Sequence, residues 1–184
     1  MYDVIVVGAR CAGSPLAMLL ARKGHKVLLV DRASFPSDQP MSTHLIWQDG
    51  TNRLQKWGLL DAVIASNCPP MTTFFIDFRD FRLTGEPTPV NGQTYMISPR
   101  RTVFDKILVD AAAEAGAEVR EGFSVKELES DGERVTGISG TDKGGAKITE
   151  TARVVVGADG KNSFVARAVQ AEAYRSKPRL QGTH

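Results

Sequence analysis

Cysteine, histidine and net charge are all scarce in this 184-residue chain, and each shortage excludes something. The two cysteines, Cys11 and Cys68, form no CxxC pair, which argues against a disulfide framework or a zinc site. Lysine and arginine total 23 against 21 aspartates and glutamates, a formal net charge of +2. With no basic cluster, the chain lacks the electrostatic footprint of a nucleic-acid or anionic-membrane binder. No apolar run approaches the ~18 residues of a membrane span, and no basic stretch leads into a long apolar one, so neither a span nor a signal peptide is expected. The expected location is the cytoplasm. There is no internal repeat and no low-complexity segment. No Ser-His-Asp order, metal cluster or carboxylate pair stands out; Asp77 and Asp80 flanking Arg79 read as a solvated hairpin. At 42% hydrophobic and 24% charged residues, the composition is that of a globular domain with a real core.

What is present begins at the N-terminus. Val4-Ile5-Val6-Val7 is short, apolar and β-branched, as a strand buried on both faces should be. Gly8 interrupts it. From Ala12 to Lys23 the spacing of Leu16, Leu19 and Leu20, with Ala17 and Ala21 beside them, predicts a helix that stops at Gly24. Val27 to Val30 forms a second buried strand ending at Asp31. The unit is β-α-β, with parallel strands and a right-handed crossover.

Between strand and helix lies Gly8-Ala9-Arg10-Cys11-Ala12-Gly13, where a dinucleotide-binding loop belongs. Gly8 permits the tight turn and Gly13 lets the helix pack closely, while the helix N-terminus offers amides and a positive dipole end to a pyrophosphate. The central position departs from G-x-G-x-x-G, because Arg10 stands there. A guanidinium there is able to neutralise phosphate. Asp31, at the end of the next strand, is placed to accept hydrogen bonds from ribose hydroxyls. The bland reading of the same residues is a helix-start loop and an exposed strand-end carboxylate. Cys11 reads either as a reactive thiol at a helix N-terminus or as a small residue in a crowded loop.

Further along, residues 33 to 43 form a loop, with Ser42 or Thr43 capping a helix from Leu45 to Trp57. Phe74–Phe78 and Phe81–Leu83 suggest a small antiparallel insertion. Arg101 to Ala115 has helical spacing, ended by Gly116. A short strand covers Glu118 to Arg120. A hairpin pairs Phe123–Glu129 with Arg134–Ile138 through Asp131-Gly132. A turn at Lys143 to Gly145 leads to a segment from Ala146 to Thr151. Val154 to Val156 is a separate buried strand ending at Gly157-Ala158-Asp159-Gly160, and a helix starts at Ser163. The tail from Tyr174 lacks periodicity.

Three of these segments resemble the FAD-dependent oxidoreductase superfamily that includes aromatic-ring hydroxylases and geranylgeranyl-reductase-like proteins. They are Asp3 through Arg32; the strand running into Gly157-Ala158-Asp159-Gly160 with Ser163 and Arg167 following; and Arg101-Thr102-Val103-Phe104-Asp105, similar to that family's R-x-x-F-D helix start. The resemblance implies an α/β, Rossmann-like FAD-binding domain over residues 1–184, with a central parallel sheet, an antiparallel β-meander and an incomplete substrate region at about 64–96. It implies cofactor contacts from Gly8, Ala9, Arg10, Cys11, Ala12, Gly13, Asp31, Arg32, Arg101, Val125, Asp159 and Gly160. The bland readings are a charged first-turn residue for Arg101 and a turn residue for Asp159. FAD is the implied cofactor and NAD(P)H the implied electron donor. NAD alone remains an alternative, which the hairpin before the last parallel strand disfavours.

By the same resemblance the segment around Ser42-Thr43-His44 approaches the flavin, which makes His44 a candidate proton donor; a cap and a surface histidine is the plainer reading. The implied chemistry is hydroxylation or double-bond reduction of a small organic substrate. No W-x-W-x-I-P motif of flavin-dependent halogenases is present. The family's later G-D-A segment is not found before His184, so this chain alone is expected to turn over poorly, with an oligomer or a completing chain as possible partners. A non-catalytic dinucleotide-binding module docking to another chain is the alternative function.

Overall fold

The computed structural model describes residues 1–38 and 42–172. The apolar runs found in the sequence form the centre of a six-stranded sheet. β1 (Tyr2–Val7) and β2 (Val27–Asp31) pair in parallel on either side of helix α1 (Gly13–Arg22) in sequence. Ile5, Val6, Leu28, Leu29 and Val30 are fully buried, as strands covered on both faces require. In chain order there follow α2 (Gln48–Trp57), α3 (Leu60–Ala65), β3 (Phe74–Asp77), β4 (Arg82–Gly85), α4 (Arg101–Glu114), β5 (Glu118–Glu121), β6 (Ser124–Ser130), β7 (Val135–Thr141), β8 (Lys147–Gly157) and α5 (Phe164–Ala168).

The sheet order is β5-β2-β1-β8-β7-β6. β5, β2, β1 and the end of β8 run parallel, and β6, β7 and the start of β8 form an antiparallel meander. The expected α/β class with parallel sheet and meander is the class observed.

Here the structure corrects the sequence reading. Ala146–Thr151 and Val154–Val156 are not separate elements but one eleven-residue strand, β8. Its first half pairs with β7 and alternates exposed and shielded residues; its second half pairs with β1. Two hydrophobic patterns in one strand mimic two strands. The β6–β7 connection is also longer than an Asp-Gly turn. It spans residues 131–134, and Asp131 Oδ1 accepts the amides of Glu133 and Arg134 at 3.1 and 2.9 Å.

The chain divides into two units, Met1–Ser37 with Leu108–His184, and Asp38–Ile107. The first holds the six-stranded sheet. Its core joins Tyr2, Ile5, Val7, Leu28, Val30, Phe123, Ile138, Ala152 and Val165, and Val125 packs against that cluster. At one margin Tyr2 donates to Glu118 Oε2 at 2.6 Å, and Arg120 binds Glu118 at 2.8 Å and Glu150 at 2.5 Å. Burial and the bond to Glu118 push the Tyr2 phenol up to about 12.

In the second unit the expected helix Leu45–Trp57 starts later, at Gln48. Ile46 is drawn into a β-bridge with Ile97, and extended Trp47 is the N-cap. Neither Ser42 nor Thr43 caps it, for α2 has no side-chain cap. Helix α3, Leu60–Ala65, is an element the sequence reading passed over. β3 and β4 are the expected antiparallel insertion. Tyr174 to His184 lie outside the described residues.

Candidate cofactor-binding site

The glycine loop sits at the carboxyl ends of the parallel strands, where open α/β sheets bind ligands. Gly8 adopts φ +106°, and a Cβ there would stand 2.5 Å from the Ala158 carbonyl oxygen. The Ala158 amide also donates to Val7 O at 2.8 Å. The two sequence signatures, the glycine loop and Gly157-Ala158-Asp159-Gly160, are therefore in backbone contact. A Cβ on Gly13 would fall 1.7 Å from Gly8 O, so both glycines are required by close approach and not by flexibility alone.

Helix α1 begins with no side-chain cap at Ala12, and Pro15 in its first turn brings no N–H. Gly8, Ala9 and Gly13 are buried, Arg10 is half-buried, and Cys11 and Ala12 are exposed. Among the described residues α1 has no side-chain cap and no acidic residue in its first turn, at a loop cleared of side chains at Gly8 and Gly13. These features fit a dinucleotide pyrophosphate.

Asp31 closes the loop from the β2 side. Its Oδ2 accepts the Ala9 amide at 2.7 Å and its Oδ1 the Ala33 amide at 2.8 Å. Each carboxylate oxygen retains capacity for a further bond, but its first role is to hold two backbone segments. Arg32 beside it is exposed. Arg10 turns its guanidinium to Ser37 Oγ, at 2.8 Å, and over the Phe35 ring, 5.4 Å from the centroid.

The other sequence-selected residues have internal partners. Asp159 accepts from Ser163 Oγ at 2.5 Å and from the amides of Phe164 and Val165 at 2.6 and 3.3 Å, which makes it an anchor of the α5 N-terminus. Ser163 Oγ in turn accepts the Ala166 amide. Gly160 supplies the positive-φ turn between them, and Arg167 donates to Asn162 O at 2.6 Å. In the second unit, Arg101 forms a two-pronged pair with Asp105, at 2.9 and 3.0 Å, with the Asp105 side chain wholly buried. The first and last letters of the R-x-x-F-D segment thus bind one another one helical turn apart. His44 holds a left-handed φ of 61°, and its amide donates to Ser42 Oγ at 3.1 Å.

Missed in sequence was Glu121, whose Oε2 accepts the Phe35 amide at 3.0 Å and so fixes the segment after β2. No local pattern marks it, because its partner lies in a distant part of the chain.

Comparison with known proteins places this geometry. A family model described as FAD binding domain matches residues 1–182. The chain is 31% identical over 170 residues to a digeranylgeranylglycerophospholipid reductase of Methanocella arvoryzae, spanning 90% of this chain and 41% of that protein. It is 30% identical over 171 residues to a 3-(3-hydroxy-phenyl)propionate/3-hydroxycinnamic acid hydroxylase of Mycolicibacterium gilvum, spanning 90% of this chain and 29% of that protein. The fold superposes on a flavoprotein/dehydrogenase from Cytophaga hutchinsonii with a TM-score of 0.83 and 25% identity, over 96% of this chain and 44% of that one. The chain therefore spans less than half the length of these proteins. By its glycine loop, its sheet with meander and a match over nearly every residue, the chain belongs to the FAD binding domain family.

Proposed function

We propose that this chain is the FAD-binding portion of a flavin-dependent oxidoreductase that draws electrons from NAD(P)H to hydroxylate, or reduce a double bond of, a small organic substrate. The observation that carries the proposal is the juncture of Gly8 with Ala158, which joins the two signature segments at the uncapped end of α1.

The backbone of the loop Gly8, Ala9, Arg10, Cys11, Ala12 and Gly13 would hold the pyrophosphate end, and Asp31, Arg32 and Val125 the adenosine end. Asp159 and Gly160 would shape the neighbouring turn, and Arg101 would be a cofactor residue by the family resemblance. The incomplete substrate region would lie within residues 64–96. FAD held by these residues would supply two-electron redox chemistry. The residues of this chain bind and orient: Asp31 fixes the loop amide, the α1 dipole offsets phosphate charge, and His44 is the candidate proton donor. The reductase and hydroxylase relatives support both reaction classes.

The test is anaerobic mixing of the FAD-loaded chain with NADH and NADPH, followed through the flavin's visible absorption. Bleaching by one nucleotide supports the electron-donor assignment. A flavin that retains its absorption with both, yet bleaches with dithionite, overturns it. Slow or absent substrate-coupled turnover by the 184-residue chain is expected, and efficient coupled turnover contradicts that expectation.

A further inference from the structure

The residue standing where a central loop glycine is usual has a definite place in this structure. Arg10 Nη2 donates to Ser37 Oγ at 2.8 Å, and its guanidinium lies over Phe35, which is 8% exposed. Phe35 in turn donates its amide to Glu121. The same segment is fastened twice more to the β5–β6 turn, through Gly122 N to Ala33 O at 2.9 Å and Phe123 N to Asp31 O at 2.8 Å. On its other side Asp31 holds the Ala9 amide. Residues 31–37 are thus tied to the β5–β6 turn along one side and to the glycine loop along the other. Arg10 makes a further loop-side tie.

We propose that Arg10 is a positioning residue, a latch that holds segment 33–37 against the glycine loop so that the wall facing the adenosine end of the dinucleotide is formed before binding. This rests on the FAD reading of the site. Glycine at this position has no side chain to make the tie. Lysine carries the charge but lacks the guanidinium that reaches Ser37 Oγ through one nitrogen while its carbon lies over the Phe35 ring. A wall ordered in the free protein removes an ordering cost from binding.

The experiment uses the 184-residue chain as wild type, R10A, R10K, S37A and R10A/S37A. Amide hydrogen exchange across residues 33–37, measured without ligand, is expected to accelerate about tenfold in R10A and to stay fast in R10K. FAD titration at several salt concentrations is expected to show R10A binding about tenfold more weakly with an unchanged salt dependence, and R10A/S37A no weaker than R10A. Unchanged exchange in R10A overturns the latch. So does weaker binding in R10A accompanied by a flattened salt dependence and normal exchange, which would make Arg10 a direct phosphate contact. Failure of the wild-type chain to take up FAD overturns the FAD reading instead, and is distinguished by the exchange result.

Discussion

Asp31 and Ala9 are joined by a 2.7 Å hydrogen bond from the loop amide to the strand-end carboxylate. The residue that sequence reading assigned to a ribose also builds the loop meant for the phosphates. Asp31→Ala leaves the Ala9 and Ala33 amides without their carboxylate acceptor, at a cost of about 1–3 kcal/mol per group that stays buried. Chemical denaturation should show that loss, with FAD affinity falling in parallel. Asp31→Asn, which keeps one carbonyl oxygen, should lose less of both.

The glycines are tested by adding one methyl group. Gly13→Ala puts a Cβ on the Gly8 carbonyl, and Gly8→Ala adds a positive-φ penalty to a clash with Ala158. Strain of about 1–3 kcal/mol at such positions corresponds to roughly a ten- to hundredfold loss of FAD affinity when it is relieved by loop movement. Isothermal titration of FAD into each variant measures it. Affinity equal to wild type in both would show that the loop does not approach the ligand.

Asp159 separates structural from binding roles. Its carboxylate takes Ser163 Oγ and two α5 amides, so Asp159→Ala should destabilise by about 0.5–2 kcal/mol, the range for a lost helix cap. Asp159→Asn, which retains acceptor capacity, should recover most of the stability. If Asp159→Asn recovers stability but not FAD affinity, the carboxylate also acts on the cofactor.

Tyr2 gives a pH signature. Its folded value of about 12 lies above the ordinary 10.0 because the phenol is buried and donates to Glu118. A group with a raised folded pKa contributes stability that is complete below the unfolded value and lost as pH rises through the folded one. Stability should therefore decline between pH 10.0 and about 12. Tyr2→Phe should remove this component, read as a flatter alkaline limb in denaturation midpoints. An identical alkaline limb in the variant would contradict the assignment.

Cys11 is exposed in the glycine loop and Cys68 is buried. Alkylation should label Cys11 first, and FAD should slow that labelling while leaving Cys68 unreactive. Mass spectrometry of the two cysteine peptides reads both. Labelling of Cys11 at the same rate with saturating FAD would place the cofactor elsewhere.

The parallel strands and the glycine loop were legible because their information is local: continuous β-branched runs, a glycine at each tight approach, a carboxylate at the next strand end. The tying contacts were not. Glu121 meets Phe35, Tyr2 meets Glu118, and Ala158 meets Gly8 across long separations that no window spans. β8 was read as two strands because its first half is largely polar and its second holds a continuous valine run; that run is not the buried strand expected, for Val154 is 51% exposed and Val155 and Val156 are half-buried. Helix α2 was read too long because Ile46, apolar at helical spacing, pairs with Ile97 instead. Motif reading found Arg101 and Asp159 but not that each is engaged by its own neighbours.

The central claim is that residues 1–182, the span matched by the FAD binding domain family, hold FAD through the loop from Gly8 to Gly13. The direct measurement is the visible absorption spectrum and released-flavin content of the 184-residue chain after incubation with FAD and gel filtration, beside Gly13→Ala. The account predicts stoichiometric FAD carried by the wild-type chain and little by the variant. A folded wild-type chain that emerges without flavin, or a variant that retains as much as wild type, would contradict it.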